Sequence, residues 1–481
     1  MTVSVIDVSP SILTARMRFP FHFGSVAIDR SVHLFLELDV EIDGARETGV
    51  AMGGLHPGWF FKDPDRSFAG GIEAMLEAFE AAWERSTEIE AASPFAFRRA
   101  LYESQRQWAS GTDLPPLAWN YGVSLVECAV IDAACRHHGL TVARAVREGL
   151  LGIDPGAIYD ELEGFDPAEA LPDEPVREIA LRHTVGLTDP LTDADVAPGE
   201  CPEDGLPYTL EEGIAEYGLD RFKIKLAADV ERDRKRLERI AGVLADCGLE
   251  TYAVSLDANE GYGDIETLCR DWERLASDPA LEDFLESVLY VEQPLARDAA
   301  LGPETARVLR DWEEIPVIID ESDDRPGSLG RALACGYAGT SHKNCKGVLK
   351  GIVNRCLIEH RREVDPEGTY RLSAEDLTTL GPVELTQDLA VAATLGITHV
   401  ERNGHHYYRG LDPFPERVVR ETLAAHDDLY RRHDEGFATF AIDEGRLDLD
   451  SVVDAPFGRA IDVDSDLFTP LSEWDIEDPQ K

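Results

Sequence analysis

Five short apolar runs between residues 221 and 346 constrain this chain more than any other feature. They are RFKIKL, VSLDAN, LYVEQP, VIIDES and GTSHKNCK. Each run carries charged or amide side chains at its end, and each is followed by a stretch with helical spacing. Strand and helix in alternation are typical of a parallel sheet or barrel, in which the carboxyl ends of the strands meet at one face. We therefore expect the polar residues of these runs to converge.

Three further stretches have strand character, at residues 181–187, 370–373 and 397–401. With the five runs they give eight strand ends, which is the number that closes a βα-barrel. The predicted fold class is therefore α/β, with a TIM-type (β/α)-barrel as the catalytic domain.

The remainder of the chain suggests two further segments. Residues 1–150 carry alternating β-branched patterns followed by helical spacing, which predicts an N-terminal α+β domain. The barrel then takes residues 151–433. Residues 434–481 form a C-terminal segment that we expect to return to the N-terminal domain, with residues 437–450 as a strand pair on its sheet.

The charge balance excludes several classes of partner. The chain has 46 basic and 93 acidic residues, a formal net charge of −47. Such a surface lacks the basic footprint that nucleic acids and anionic membranes need. The acidic residues are spread along the chain, which indicates adaptation to high salt, as in a halophile, because salt screens their repulsion.

Cysteine usage and the N-terminus indicate a cytoplasmic protein. The eight cysteines form no CxxC pair, so a zinc finger or a disulfide framework is not predicted and reduced thiols are expected. The N-terminus has no basic region followed by an apolar core, and no run is long enough to span a membrane.

Lysine is rare, which makes its positions informative. Arginine supplies 38 of the 46 basic residues (46 − 8), and four of the eight lysines lie in KIK and KNCK. Arginine cannot lose its proton at working pH, whereas lysine can be tuned to act as a base. Lys223 and Lys225 are two apart on a strand and share a face, so each should lower the pKa of the other. Lys225 is the predicted base, and Lys223 is expected to tune its pKa. Lys343 lies on another strand.

Three acidic residues end successive strands between these lysines. Asp257, Glu292 and Asp320 form a carboxylate triad of the kind that suits Mg²⁺, which takes oxygen ligands and leaves room for substrate oxygens. Asn259 points the same way as Asp257 and could orient a ligand or substrate.

A divalent ion that binds a substrate carboxylate acidifies the adjacent C–H bond. A neutral lysine can then remove this α-proton to give an enediolate, and a second lysine on the opposite face can return a proton. Two bases at one carbon give racemisation or epimerisation, and the same intermediate can undergo cycloisomerisation or elimination. The predicted partner is a small-molecule carboxylate.

The set KIK, LDAN, VEQP, IDES and SHKNCK resembles the enolase superfamily. The closest resemblance is to the muconate-lactonising subgroup of the mandelate racemase/muconate lactonizing enzyme family. It implies a modified enolase-type barrel under an N-terminal capping domain, with Asp257, Glu292 and Asp320 as Mg²⁺ ligands. It also implies Lys225 and Lys343 as the acid/base pair, Glu321 in support of the ligands, and a homo-oligomer, since members commonly self-associate.

Two aromatic loops, at residues 18–24 and 53–61, fall where such capping loops fall. His22 and Trp59 are their candidate substrate contacts, although core packing is the other common fate of such aromatics. At the eighth strand end, VERNGHHYYRG offers Glu401 and further polar residues that could contact a substrate or form a solvated loop. The seventh strand end, RLSAEDL, has no histidine.

Two other functions stay open. The polar eighth strand end would suit a dehydratase of a polar hydroxy or sugar acid. A hypothesis of another class is a non-catalytic barrel that binds metal or organic acid.

Overall fold

A computed structural model of the protein describes residues 1–23 and 26–476, without the side chains of residues 21–28. The N-terminal part is an antiparallel sheet covered by helices. Its elements are β1 (Val3–Phe23), β2 (Val26–Ile42), β3 (Ala45–Leu55), α1 (Pro57–Phe60), α2 (Phe68–Ser86), β4 (Glu90–Ala91), α3 (Pro94–Ala109), α4 (Pro116–His138) and α5 (Val142–Arg147). Strand β2 lies between β1 and β3. This arrangement fits the predicted capping domain.

Helix α4 forms the centre of this domain. Its residues 117–135 are buried on all sides, because β3 covers one face and α2 and α3 cover another. The helix starts with proline in its first turn, where no backbone donor is lost, and ends at Gly139, whose positive φ of 61° favours glycine.

Eight parallel strands then alternate with helices. The elements are β5 (Glu178–Val185), α6 (Leu210–Tyr217), β6 (Arg221–Lys225), α7 (Val230–Asp246), β7 (Ala253–Asp257), α8 (Ile265–Ala276), α9 (Glu282–Glu286), β8 (Val288–Glu292), α10 (Arg297–Ala300), α11 (Pro303–Leu309), β9 (Val317–Ile319), α12 (Ser328–Cys335), β10 (Gly339–His342), α13 (Val348–Val364), β11 (Arg371–Ala374), α14 (Glu384–Thr394) and β12 (His399–Arg402). Strand β12 pairs in parallel with β5, which closes the barrel. The predicted α/β barrel is confirmed.

The C-terminal part wraps around both domains. Its elements are α15 (Gly404–Tyr407), α16 (Glu416–Ala425), β13 (Tyr430–Arg432), β14 (Ala438–Phe440), β15 (Arg446–Asp448), α17 (Asp450–Asp454) and β16 (Thr469–Pro470). Strand β14 pairs with β13, and β15 pairs antiparallel with β5 of the barrel. The expected pairing of residues 437–450 with the N-terminal sheet is therefore wrong, whereas β16 does pair with β1. The domain boundaries stay predictions.

Buried polar contacts fasten the N-terminal domain to the barrel. Glu384, at the start of α14, accepts hydrogen bonds from the backbone N–H of Gly54 and from His33 Nδ1, both at 2.9 Å. Glu127 of α4 accepts one from the backbone N–H of Leu349 at 2.6 Å. The end of β3 is thus fixed at the carboxyl-terminal face of the barrel, where residues 53–61 begin.

None of the helices within residues 1–23 and 26–476 combines the length and apolar character needed to cross a bilayer.

Candidate active site

The ends of the barrel strands bring the predicted residues to one mouth. In the parallel register, Lys225 lies beside Asp257 and Asp257 lies beside Glu292. Asp320 and Lys343 directly follow β9 and β10. Because β6 and β10 are the second and sixth of eight strands in a closed barrel, their lysines come from opposite walls.

Lys223 occupies the middle of this mouth and is buried, with 2% of the residue exposed. Its Nζ lies 3.0 Å from carboxylate oxygens of both Asp257 and Glu292, and 2.9 Å from oxygens of both Glu375 and Glu401. Burial disfavours its ammonium form, but the four carboxylates outweigh burial and raise the pKa of Lys223 well above its usual value. Lys223 is the cation that holds these acids together.

Lys225 contacts a single carboxylate. Its Nζ lies 2.5 Å from Oδ2 of Asp257, and 23% of the side chain is exposed. Burial lowers the pKa of Lys225, Asp257 raises it and Lys223 lowers it; the net effect is a raised pKa. Lys223 thus lowers the pKa of Lys225 as expected, but the expected net lowering is wrong, because the carboxylate of Asp257 lies 2.5 Å from the ammonium and favours its charged form.

Lys343 lies on the other side of the mouth. Its Nζ is 2.6 Å from both carboxylate oxygens of Asp320 and 2.8 Å from Oε2 of Glu375. Burial disfavours the ammonium, but these carboxylates raise the pKa of Lys343 well above its usual value. Lys346 lies in the following turn and donates to Oδ1 of Asp320 at 2.9 Å. Although burial opposes it, the two lysines keep the pKa of Asp320 below its usual range.

Three buried carboxylates approach each other closely enough to share a cation. Glu292, Asp320 and Glu375 each offer an oxygen, and these oxygens lie within 4.8 Å of one another. Oε2 of Glu292 has no hydrogen-bond partner among the described residues. An all-carboxylate set with a free oxygen fits a hard cation such as Mg²⁺.

This carboxylate group includes two of the three predicted ligands. Asp257 is not part of it, and its Oδ2 instead contacts Lys223 and Lys225. A role for Asp257 as a ligand stays a prediction.

Sequence reasoning missed Glu375. It directly follows β11, as Lys343 directly follows β10, and the residues before them, Ala374 and His342, are in register. Arg182, buried inside the barrel, donates to Oε1 of Glu375 at 3.3 Å. An acidic residue at a strand end, the pattern that predicts Asp257, Glu292 and Asp320, could have identified Glu375 in RLSAEDL.

The eighth strand end is buried and is not a solvated loop. Glu401 accepts hydrogen bonds from Lys223 at 2.9 Å, from Asn403 at 3.1 Å and from Thr184. His405 is buried as well, and its Nε2 lies 2.9 Å from Nδ1 of His183.

Both aromatic stretches contact segments that follow barrel strands. Residues 18–23 belong to β1, where Arg18 donates to the carbonyl of His406 at 2.7 Å and to Asp204 at 2.6 Å. The side chain of His22 lies outside the described residues. In the second loop, Trp59 Nε1 donates to Oδ2 of Asp320 at 3.3 Å, whereas Phe60 packs in the core.

Three further residues lie at or beside the strand ends and differ in their contacts. The backbone N–H of Asn259, not its side chain, donates to Oδ1 of Asp257 at 2.8 Å. Glu321 is fully buried, and neither carboxylate oxygen has a hydrogen-bond partner among the described residues. Burial, with the charge of Asp320 beside it, raises the pKa of Glu321 to about 7. His342 packs away from the mouth and contacts Asn344 at 3.0 Å.

Comparison with known proteins gives structural likeness only. No protein-family model matches the sequence, and no curated protein matches it. Several solved structures match nearly the whole chain. A mandelate racemase/muconate lactonizing enzyme from Bordetella bronchiseptica is 16% identical with a TM-score of 0.57, and the match covers 96% of this chain and 98% of that one.

Two further matches were solved with ligands. An enolase from Bradyrhizobium complexed with magnesium and mandelic acid is 15% identical with a TM-score of 0.57, covering 94% of this chain and 98% of that one. A substrate-liganded L-Ala-D/L-Glu epimerase from Bacillus subtilis is 14% identical with a TM-score of 0.56, covering 91% and 96%. The chain therefore has the fold of the mandelate racemase/muconate lactonizing enzyme-like members of the enolase superfamily.

Proposed function

We propose that this protein is a Mg²⁺-dependent enzyme that removes the α-proton of a small carboxylate substrate and thereby racemises, epimerises or cycloisomerises it. The observation that carries the proposal is the placement of Lys225 and Lys343 on opposite walls of one barrel mouth, with buried carboxylates between them. A carbon held between two lysines can lose a proton to one and receive a proton from the other.

The metal ligands are drawn from the carboxylates of Glu292, Asp320, Glu375 and Asp257. When bound, Mg²⁺ would withdraw charge from the substrate carboxylate and acidify its α-carbon. Glu401 lies outside the group of three carboxylates that could share a cation, and it accepts hydrogen bonds from Lys223, Thr184 and Asn403.

The lysines must change partners before they act as bases. Lys225 is held by Asp257, and Lys343 is held by Asp320 and Glu375, so both are ammonium groups in this arrangement. Accepting a proton requires that these contacts weaken, since each carboxylate favours the charged form. Lys223, with four carboxylate contacts, is expected to stay protonated and to support the site by its charge.

The neighbouring folds support this class of chemistry without specifying the reaction. One match is an epimerase solved with its substrate, and another was solved with magnesium and mandelic acid. Isomerisation comes before dehydration in this proposal, because Lys225 and Lys343 come from opposite walls of the mouth. A homo-oligomer in the cytoplasm stays a prediction.

The test is a screen of carboxylic acids in D₂O at high salt, with and without Mg²⁺. We expect at least one acid to gain deuterium at its α-carbon only when Mg²⁺ is present. Loss of water to give a 2-keto acid would instead favour the dehydratase. If calorimetry shows Mg²⁺ binding but no acid exchanges or reacts, the proposed enzymatic role is wrong and the non-catalytic barrel is favoured.

A further inference from the structure

Arg297 connects three separate parts of the chain beside the barrel mouth. It begins α10, just after the strand that ends at Glu292. Its Nη1 donates to the backbone carbonyl of Phe60 and its Nη2 to that of Trp59, both at 3.1 Å. Its Nε donates to Oε1 of Glu260 at 2.8 Å. One guanidinium thus holds two consecutive carbonyls of the second aromatic loop.

Glu260 fixes the position of this guanidinium. Its Oε1 also accepts from the backbone N–H of Arg297 at 2.9 Å, and its Oε2 lies 3.5 Å from Nζ of Lys62. Only 5% of the Glu260 side chain and 14% of the Arg297 side chain are exposed. Because the pair is largely buried and doubly hydrogen-bonded, its geometry is well defined.

Trp59 is the residue whose position this pair controls. Its indole N–H donates to Asp320 at 3.3 Å, and its ring centroid lies 5.0 Å from Nζ of Lys343. The residue is 7% exposed. The carbonyl held by Arg297 belongs to Trp59 itself, so a shift of that carbonyl moves the indole directly.

We infer that Arg297 is a positioning residue that, with Glu260, holds Trp59 over Lys343 and Asp320. The rigid fork of the guanidinium spreads its donors over two carbonyls and one carboxylate, a spacing that the compact ammonium of lysine does not reproduce. The effect of Arg297 on catalysis rests on the proposed function, whereas its effect on the position of Trp59 does not.

Acrylamide quenching of tryptophan fluorescence tests the placement directly. The chain has seven tryptophans, so each variant is measured with Trp59 present and in a Trp59→Phe background. We expect Arg297→Ala to raise the quenching constant, Arg297→Lys to raise it less, and the rise to vanish when Trp59 is absent. Arg307→Ala is the matched control, since Arg307 on the next helix pairs with Glu266 at the surface.

A second readout separates this inference from the proposed function. For an acid found to exchange its α-proton, Arg297→Ala should lower kcat/KM by about ten- to a hundred-fold, because small misplacements near the reacting atoms are costly. Arg307→Ala should leave it unchanged. Equal quenching in Arg297→Ala and the parent protein, or a rise that persists without Trp59, would overturn the inference even if exchange is observed. If no acid exchanges, the quenching result still decides it.

Discussion

Oε2 of Glu375 lies 2.8 Å from Nζ of Lys343, and the same oxygen lies 2.9 Å from Nζ of Lys223. This carboxylate therefore joins the lysine of one wall of the barrel to the lysine at its centre. It also belongs to the group of three carboxylates that could hold a cation. Glu375 therefore contacts several groups of the site, although it was not predicted from the sequence.

Replacing Glu375 should change both metal binding and the pH dependence of the reaction. Glu375→Gln removes a negative charge beside Lys343, so the pKa of Lys343 should fall and the pH profile of deuterium exchange should move to lower pH. Mg²⁺ affinity should fall as well, by at least about ten- to a hundred-fold, which is the loss that replacing groups around a metal ion typically causes. Calorimetry measures the Mg²⁺ affinity, and exchange rates against pH measure the shift of the pH profile.

Glu367→Gln, in an exposed turn, is the control for Glu375→Gln. Identical behaviour of the two variants would contradict the role of Glu375.

Removing the central lysine should destabilise the fold. Lys223→Ala leaves four buried carboxylates without their shared cation. Breaking a buried ion pair by removing one partner typically costs about 3–5 kcal/mol in unfolding free energy. Chemical denaturation should show this loss, and Mg²⁺ should recover part of it. Lys235→Ala on the exposed face of α7 should change little. A Lys223→Ala protein as stable as the parent would contradict the proposed role of Lys223.

The sequence predicts some of these site residues and not others. The strand ends at Lys225, Asp257, Glu292, Asp320 and Lys343 were predictable, because apolar runs stopping at charged residues identify both the strand and its end. Glu375 was harder to find, since its strand, Arg371–Ala374, begins exposed and is only half buried along its length. The raised pKa of Lys225 depends on a 2.5 Å contact with Asp257 across the sheet. The pairing of β15 with β5 is equally non-local and has no sequence signature.

Buried histidines should make the protein sensitive to acid. Burial lowers the pKa of His183 to about 4, and burial lowers that of His342 to about 4 as well. The unfolded chain takes up protons near pH 6.5 while the folded histidines stay neutral down to about pH 4. Each histidine should therefore contribute a loss of stability as pH falls through this window, on the order of 1 kcal/mol per pH unit. Glu321 offsets part of this loss, because its pKa is raised to about 7 and the folded protein takes up its proton first.

Denaturation curves between pH 7 and pH 5 measure this slope. His342→Gln should reduce it, and His138→Gln, at an exposed position, should not. A slope that is unchanged by His342→Gln would show that this histidine does not contribute.

Salt should stabilise the protein. With a net charge of −47, surface carboxylates repel one another, and salt screens this repulsion within a Debye length of about 8 Å at physiological ionic strength. The midpoint of thermal unfolding should rise steadily as KCl is added. Sucrose at matched osmolality separates screening from general solute effects. A midpoint that is the same at low and high KCl would contradict adaptation to high salt.

The most direct test of the central claim is exchange measured on each enantiomer of a reactive acid, in D₂O with Mg²⁺. Since Lys225 and Lys343 come from opposite walls, Lys225→Ala should abolish α-deuteration of one enantiomer and Lys343→Ala that of the other, each by about 10²–10⁴-fold. Retention of both exchange reactions in either variant, or equal loss of both in Lys235→Ala, would contradict the account.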